Sequence, residues 1–246
     1  MTWYAFFKAV LRTFARTVSR VEVEGAENVP AEGPFILAPN HQSVLDPIYI
    51  QSAIRRNDVF TMTKSTQFGS AFFRWVLPRI NALPARRYKV DPQVVRASLR
   101  HLDAGHGVCV YPEGERTWDG RIGRLRRGTL RLILKAGVPV VPCGIQGSFD
   151  VWPRWSRRIR RQTVTVRFGR SLRFEQIDDR KERDGRLGET ERRIRAALSE
   201  LSGAPLAGEE EGSHRGGRER GGSDAGGGAD RLAGVQGTFR GQDPDE

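Results

Sequence analysis

Cysteine is scarce in this chain: among 246 residues only Cys109 and Cys143 carry thiols, and both lie in apolar, strand-like runs. Two thiols without ligand spacing make no metal cluster, so they read as buried free thiols of an intracellular protein, and no metal site is expected. Long apolar runs are missing as well. No stretch reaches the roughly 18 residues of a membrane-spanning helix, and the longest uncharged run, Ala136 to Phe149, is broken by Pro139, Pro142 and glycines. That run suits a buried strand with its exit loop. A signal peptide is not expected, because Lys8, Arg12 and Arg16 interrupt the apolar N-terminus and no small-residue cleavage site follows. Any contact with membrane is therefore expected to be lateral.

Acid is the other shortage: 29 Asp and Glu face 41 Lys and Arg, a formal net charge of +12, and no acid precedes Glu22. Such a balance calls for an anionic partner, whether nucleic acid, a phosphate-bearing substrate or acidic lipid. Within residues 1–20, Trp3, Phe6, Phe7, Val10, Leu11, Phe14 and Val18 fall on one helical arc, and Lys8, Arg12, Arg16 and Arg20 form a stripe at four-residue spacing. Aromatic rings opposite a purely cationic face predict an in-plane helix on an anionic membrane surface. The alternative is an ordinary amphipathic helix packed on its own core.

From residue 21 to 202 strand-length apolar runs alternate with helical periodicity. Strands are predicted at Val21–Val23, Pro34–Ala38, Asp58–Thr63, Ala82–Ala85, Val108–Tyr111, Val138–Pro142 and Thr163–Phe168. Helices are predicted from the Asp91-Pro92 start to Gly105, from Leu125 to a stop at Gly137, and from near Glu189 to Gly203. This pattern means an α/β fold, a mostly parallel central sheet flanked by helices. Residues 203–246 hold 13 of the 28 glycines and only isolated apolar residues such as Leu206, so a disordered tail is expected. That tail carries nine acids against five arginines, which concentrates a net +16 on residues 1–202.

Chemistry is expected where an apolar strand ends in Asn40-His41-Gln42-Ser43-Val44-Leu45-Asp46. An imidazole there can move a proton near neutral pH, and a carboxylate can hold it in one tautomer. Two plainer roles compete: Asp46 precedes Pro47, as a helix N-cap does, and His41 can be a satisfied polar residue at a strand end. A second loop, Pro112-Glu113-Gly114-Glu115-Arg116, offers a carboxylate and a guanidinium able to grip phosphate. Arg86-Arg87 follows another short apolar segment, and Val138-Pro139 opens a strand read as structural. His101 and His106, at a helix end, read as satisfying carbonyls.

In this order, Asn40-His41 with Asp46, Arg86 or Arg87, Pro112-Glu113-Gly114 with Arg116, and Val138-Pro139 resemble the four blocks of the glycerolipid acyltransferases typified by 1-acylglycerol-3-phosphate acyltransferase. The resemblance covers roughly residues 20–170. It implies a domain held peripherally on the cytoplasmic face of the cell membrane, moving a fatty acyl group from acyl-CoA or acyl-carrier protein to a lysophospholipid hydroxyl. The acceptor it implies is 1-acylglycerol-3-phosphate, giving phosphatidic acid. On that resemblance His41 is the base and Asp46 orients it. Glu113 and Gly114 lie beside the acceptor, and Arg116 with Arg86 or Arg87 binds its phosphate.

The acyl carrier is a co-substrate, and no cofactor is implied. Backbone N–H groups at the start of the following helix are the default oxyanion donors. This chain departs from the family pattern at Asn81 and Ala82, where glycine is more usual, and at Glu115, where threonine is common, which sets an extra acid beside Arg116. Two other classes are weighed. A lipid hydrolase would use the same His41 and Asp46 on water, and an RNA-binding module would use Trp152, Trp155 and the arginines up to Arg161. No RNA-binding signature accompanies that charge, so nucleic acid is set aside as a partner.

Overall fold

The computed structural model of the chain describes residues 3–70, 74–75, 77–85 and 92–208. At its centre is β2 (Phe35–Pro39), whose five apolar residues are all buried. A strand apolar on both faces is stable only where helices cover both. Its parallel neighbours are β5 (Gly107–Cys109) and β6 (Val140–Gln146), with Leu37 opposite Cys109 and Pro39 opposite Cys143. With β1 (Arg20–Glu24), β3 (Val59–Lys64), β4 (Ala82–Ala85) and β7 (Thr163–Phe168), they form a seven-stranded sheet of order β1-β7-β6-β2-β5-β3-β4. Every pairing is parallel except β6 with β7. The mostly parallel sheet expected from the sequence is present.

Because successive side chains on a strand point to opposite faces, Phe35 and Leu37 enter one core with Tyr49 and Ile50, while Ile36 and Ala38 enter another with Leu130, Ile133 and Ile194. The first core lies under α1 (Trp3–Val18) and α2 (Asp46–Ala53). The second is closed by α3 (Pro92–Asp103), α4 (Arg127–Ala136) and α6 (Arg180–Ser202). Helix α6 approaches the sheet so closely that a Cβ on Gly144 would meet the Leu201 carbonyl carbon at 2.4 Å.

Four expectations are corrected. Helix α6 begins nine residues before Glu189, with Asp179 as its N-cap accepting from the Glu182 N–H at 2.9 Å; Gly185 and Gly188 hid this in the sequence. Strand β6 runs on through Pro142 to Gln146. The N–H that Pro142 lacks would face the far end of β7, where its carbonyl takes the Gly169 N–H at 2.9 Å, so proline does not stop the strand. The ordered chain continues past Ser202: Ile122 pairs with Leu206, Ala204 is buried, and the remainder from residue 209 lies outside the described residues. His101 and His106 stack on Phe60 and face each other, Nδ1 to Nδ1, at 3.4 Å.

Helix α1 divides its faces differently from the expected pattern. Tyr4, Lys8 and Ala15 are buried against the body of the protein. The Lys8 ammonium donates to the carbonyls of Ile54 and Arg56 at the C-terminus of α2, and Arg12 donates to the Ser52 carbonyl. A helix C-terminus offers unpaired carbonyls and partial negative charge, so it draws in the cation. Burial pushes the Lys8 pKa down to about 8. The cationic stripe is thus partly turned inward. Phe6 (50% exposed), Val10 (48%) and Phe14 (40%) project outward at four-residue spacing.

Candidate active site

Three central strands of a parallel sheet deliver their C-terminal ends to one crevice, the usual place for a site in open α/β sheets. From β2 comes Asn40 to Asp46, from β5 the loop carrying Glu113 to Trp118, and from β6 the single turn α5 (Ser148–Val151). Asn40 locks the first to the third. Its amide donates to the Ile145 carbonyl (3.1 Å) and accepts the Ile145 N–H (2.7 Å).

His41 and Asp46 meet: His41 Nδ1 lies 2.8 Å from Asp46 Oδ2. The aspartate is fully buried. Its Oδ2 also accepts the N–H groups of Gln42 (2.7 Å) and Ser43 (2.8 Å), and its Oδ1 accepts the Ser148 hydroxyl (2.6 Å). Asp46 is therefore no N-cap. The cap position is Leu45, and the carboxylate turns back onto the loop before α2 instead of onto the helix N–H groups. With Nδ1–H donating to this carboxylate, the proton-free nitrogen is Nε2. The imidazole ring also stacks on Tyr111, centroids 4.0 Å apart.

Glu113 braces the same loop from the other side. One oxygen accepts the His41 N–H and the other the Gly123 N–H, each at 3.0 Å. Burial raises its pKa to about 7, against the lowering pull of those two donors. One oxygen thus ties the β5 loop to the end of β2, and the other holds the chain's return at Gly123. Gly114 follows with φ +76°, and a Cβ there would meet Arg126 Cγ at 2.7 Å, so both backbone angle and space demand glycine. Arg116 is half-buried in this loop, and the next residue, Thr117, donates its N–H to the His41 carbonyl at 2.8 Å. Arg86 and Arg87 lie outside the described residues.

Glu115 pairs with Arg126 (2.7 Å) and Arg154 (3.5 Å). The expected default for the oxyanion donors finds little support at the start of α2. The N–H groups of Gln42 and Ser43 serve Asp46, that of Leu45 serves the Ser43 hydroxyl (3.3 Å), and that of Asp46 serves the Ser43 carbonyl (3.3 Å). Ser43 is buried and donates to the Trp152 carbonyl at 3.0 Å, a structural serine. Cys109 and Cys143 are buried free thiols, and burial raises the Cys109 pKa to about 12, so it stays protonated. Among the described residues no group of three His, Cys, Asp or Glu could hold a metal.

Sequence reasoning missed Ser148 and Tyr111. Ending β6 at Pro142 concealed Ser148, which comes directly after the strand's true end at Gln146-Gly147. In the sequence Tyr111 reads as the last residue of a strand, and only the fold brings its ring onto His41.

The site thus consists of a histidine held by a buried aspartate at the end of β2 and braced by a Pro-Glu-Gly loop at the end of β5. The chain belongs to the Acyltransferase family, whose pattern matches residues 20–146. It is 31% identical over 143 residues to a chloroplast 1-acyl-sn-glycerol-3-phosphate acyltransferase of Arabidopsis thaliana, a match covering 57% of this chain and 40% of that one. A 1-acyl-sn-glycerol-3-phosphate acyltransferase of Bacillus subtilis is 27% identical over 144 residues, covering 58% and 71%. The chain thus spans less than half the length of the plant relative. The crystal structure of the 1-acyl-sn-glycerophosphate acyltransferase of Thermotoga maritima shares the fold, with a TM-score of 0.65 over 80% of each chain at 23% identity.

Proposed function

We propose that this chain transfers a fatty acyl group from the thioester of acyl-CoA or acyl-carrier protein to the free hydroxyl of a lysophospholipid, with 1-acylglycerol-3-phosphate as acceptor and phosphatidic acid as product. The observation that carries this reading is the His41–Asp46 pair: a buried carboxylate with four donors holds Nδ1 at 2.8 Å and leaves Nε2 as the base. Nε2 takes the acceptor's hydroxyl proton as its oxygen attacks the thioester carbonyl. The tetrahedral intermediate then expels the thiolate, which recovers that proton from His41, giving one ester and one thiol. No acyl-enzyme is needed, which suits the buried state of Ser43, Cys109 and Cys143. The relatives' names support the acceptor, and Arg116 beside the His41 loop supplies charge for its phosphate.

The reading includes a peripheral seat on the cytoplasmic face of an anionic membrane. No helix among the described residues is long and apolar enough to cross one. Support for a lateral seat comes from the outward Phe6, Val10 and Phe14, with Phe7 and the exposed Trp75 ring nearby, centroids 6.4 Å apart.

The test is purified protein with acyl-CoA or acyl-carrier protein and a panel of lysophospholipids, read by free thiol and by mass spectrometry of the lipid products. Acceptor-dependent thiol release with a diacyl product is expected, and His41→Ala should lower turnover about a hundredfold or more, near 3 kcal/mol of barrier, while the protein stays folded. Acceptor-independent thiol release would instead mark a hydrolase. Near-native turnover of folded His41→Ala would remove the histidine from the reaction.

A further inference from the structure

The segment after β6 has no part in the four-block pattern, yet it forms a wall of the site. It is tied twice to the His41 loop, through Ser148 to Asp46 at 2.6 Å and through the Trp152 carbonyl to Ser43 at 3.0 Å. Two residues beyond Trp152, Arg154 reaches across to the loop from β5. Its guanidinium carbon sits 3.8 Å from the centre of the Trp118 ring, and its Nη1 lies 3.5 Å from Glu115 Oε2. Trp118 directly follows Thr117, whose N–H holds the His41 carbonyl. Arg154 therefore touches both ends of the short stretch that surrounds the base.

Charge at this point is unbalanced. Glu115 gives its shorter contact, 2.7 Å, to Arg126, and one carboxylate cannot neutralise two guanidinium groups. Arg154 is the less firmly held of the two. Its side chain is 20% exposed, and its buried Nη1 faces Glu115 at ion-pair distance without forming a hydrogen bond. A guanidinium that shares one carboxylate with a second arginine keeps donors to fill, and an oxygen of an anionic ligand reaching its exposed edge is the group that would fill them. The flat face of Trp118 fixes the guanidinium plane, which removes the rotational freedom a surface arginine would lose on binding.

We infer that Arg154, stacked on Trp118, is a further acceptor-binding residue that receives a phosphate oxygen of the lysolipid head group. This rests on the acyl-transfer reading for the identity of the ligand, but the cation, its stacking and the carboxylate it shares with Arg126 stand without it. The shared chemistry, a phosphate monoester, also occurs on coenzyme A, so the experiment separates the two sources.

Equilibrium binding to the full chain is measured with three probes: a short-chain 1-acylglycerol-3-phosphate, the corresponding monoacylglycerol without phosphate, and coenzyme A. Arg154→Ala should weaken the first by about tenfold or more and leave the other two within about twofold, with the Michaelis constant for the acceptor rising in parallel and turnover at saturation little changed. Arg154→Lys, which keeps the charge and the bulk, should recover part of the loss, and Trp118→Phe should behave better than Trp118→Ala. If Arg154→Ala melts early, Arg154→Lys and the Trp118 pair carry the test. Equal weakening of the phosphate-bearing and phosphate-free lipids, or loss of coenzyme A binding with the lysolipid spared, would overturn the inference. Arg154-dependent phosphate binding without acyl transfer by the wild type would support the site and defeat the proposed reaction.

Discussion

Asp46 gathers four donors: the N–H groups of Gln42 and Ser43 and the His41 ring from its own loop, and the Ser148 hydroxyl from the turn after β6. Ser148 acts through Asp46, so it is a positioning residue. Ser148→Ala should lower turnover several-fold with the acceptor's Michaelis constant unchanged, and cost about 1–2 kcal/mol of stability, measured by steady-state kinetics and denaturant unfolding. Glu113 yields a pH prediction. Burial raises its pKa to about 7 from an ordinary 4.5, so the folded protein binds a proton more readily than the unfolded chain between those values. Stability should therefore fall as pH rises from about 4.5 to about 7 and level off above, by at most about 3 kcal/mol from this group. Comparing wild type with Glu113→Gln across that range isolates the effect, since the variant should lack this part of the slope.

Helix α1 shows how an element can serve two environments. Its inward face is fixed by Tyr4 bonded to Gln51 (2.6 Å), by Ala15, and by Lys8 on the end of α2. Deleting it would uncover the core, which makes truncation a poor probe of membrane contact. Replacing the outward Phe6, Val10 and Phe14 with serine is the cleaner change, because these residues are 40% to 50% exposed and lie outside the buried core. Each such side chain transferred to an acyl layer is worth about 1.5–3 kcal/mol. The triple variant should stay folded, as its melting curve would show, yet leave phosphatidylglycerol-rich vesicles in high salt, where surface charge is screened. Sedimentation with vesicles reads the outcome, and unchanged pelleting would move the contact to another surface.

For the whole molecule, the boundary of the folded unit matters more than the composition of the C-terminus. Ile122 exchanges backbone hydrogen bonds with Pro205 and Ala207, both at 2.9 Å, and Arg195 reaches the Ala207 carbonyl at the same distance. Removing residues 209–246 should leave the melting temperature unchanged. Removing residues 203–246 should lower it by several degrees, since it strips partners from Ile122 and Arg195 and takes Ala204 and Leu206 out of the second core. Calorimetry of the two truncations decides where the domain ends.

The sequence by itself determined the sheet and the pair of residues at its edge. A short apolar run such as Phe35-Ile36-Leu37-Ala38, bounded by Gly33-Pro34 and Pro39, suits a central strand, and the strand-helix alternation leaves a mostly parallel sheet as the layered solution. His41, Asp46 and the Pro-Glu-Gly loop were legible because turn-forming residues mark strand ends. The tertiary structure alone decided which groups surround them. Ser148, Tyr111 and Arg154 lie between 70 and 113 residues from His41 in the chain, and local pattern holds no information about which strand ends become neighbours. It also decided which way the α1 cations face, because a lysine at helical spacing is drawn to solvent or to another helix's C-terminus depending on what packs beside it. Glu115 followed the same rule: adjacent to Arg116 in sequence, it is claimed in space by Arg126 and Arg154.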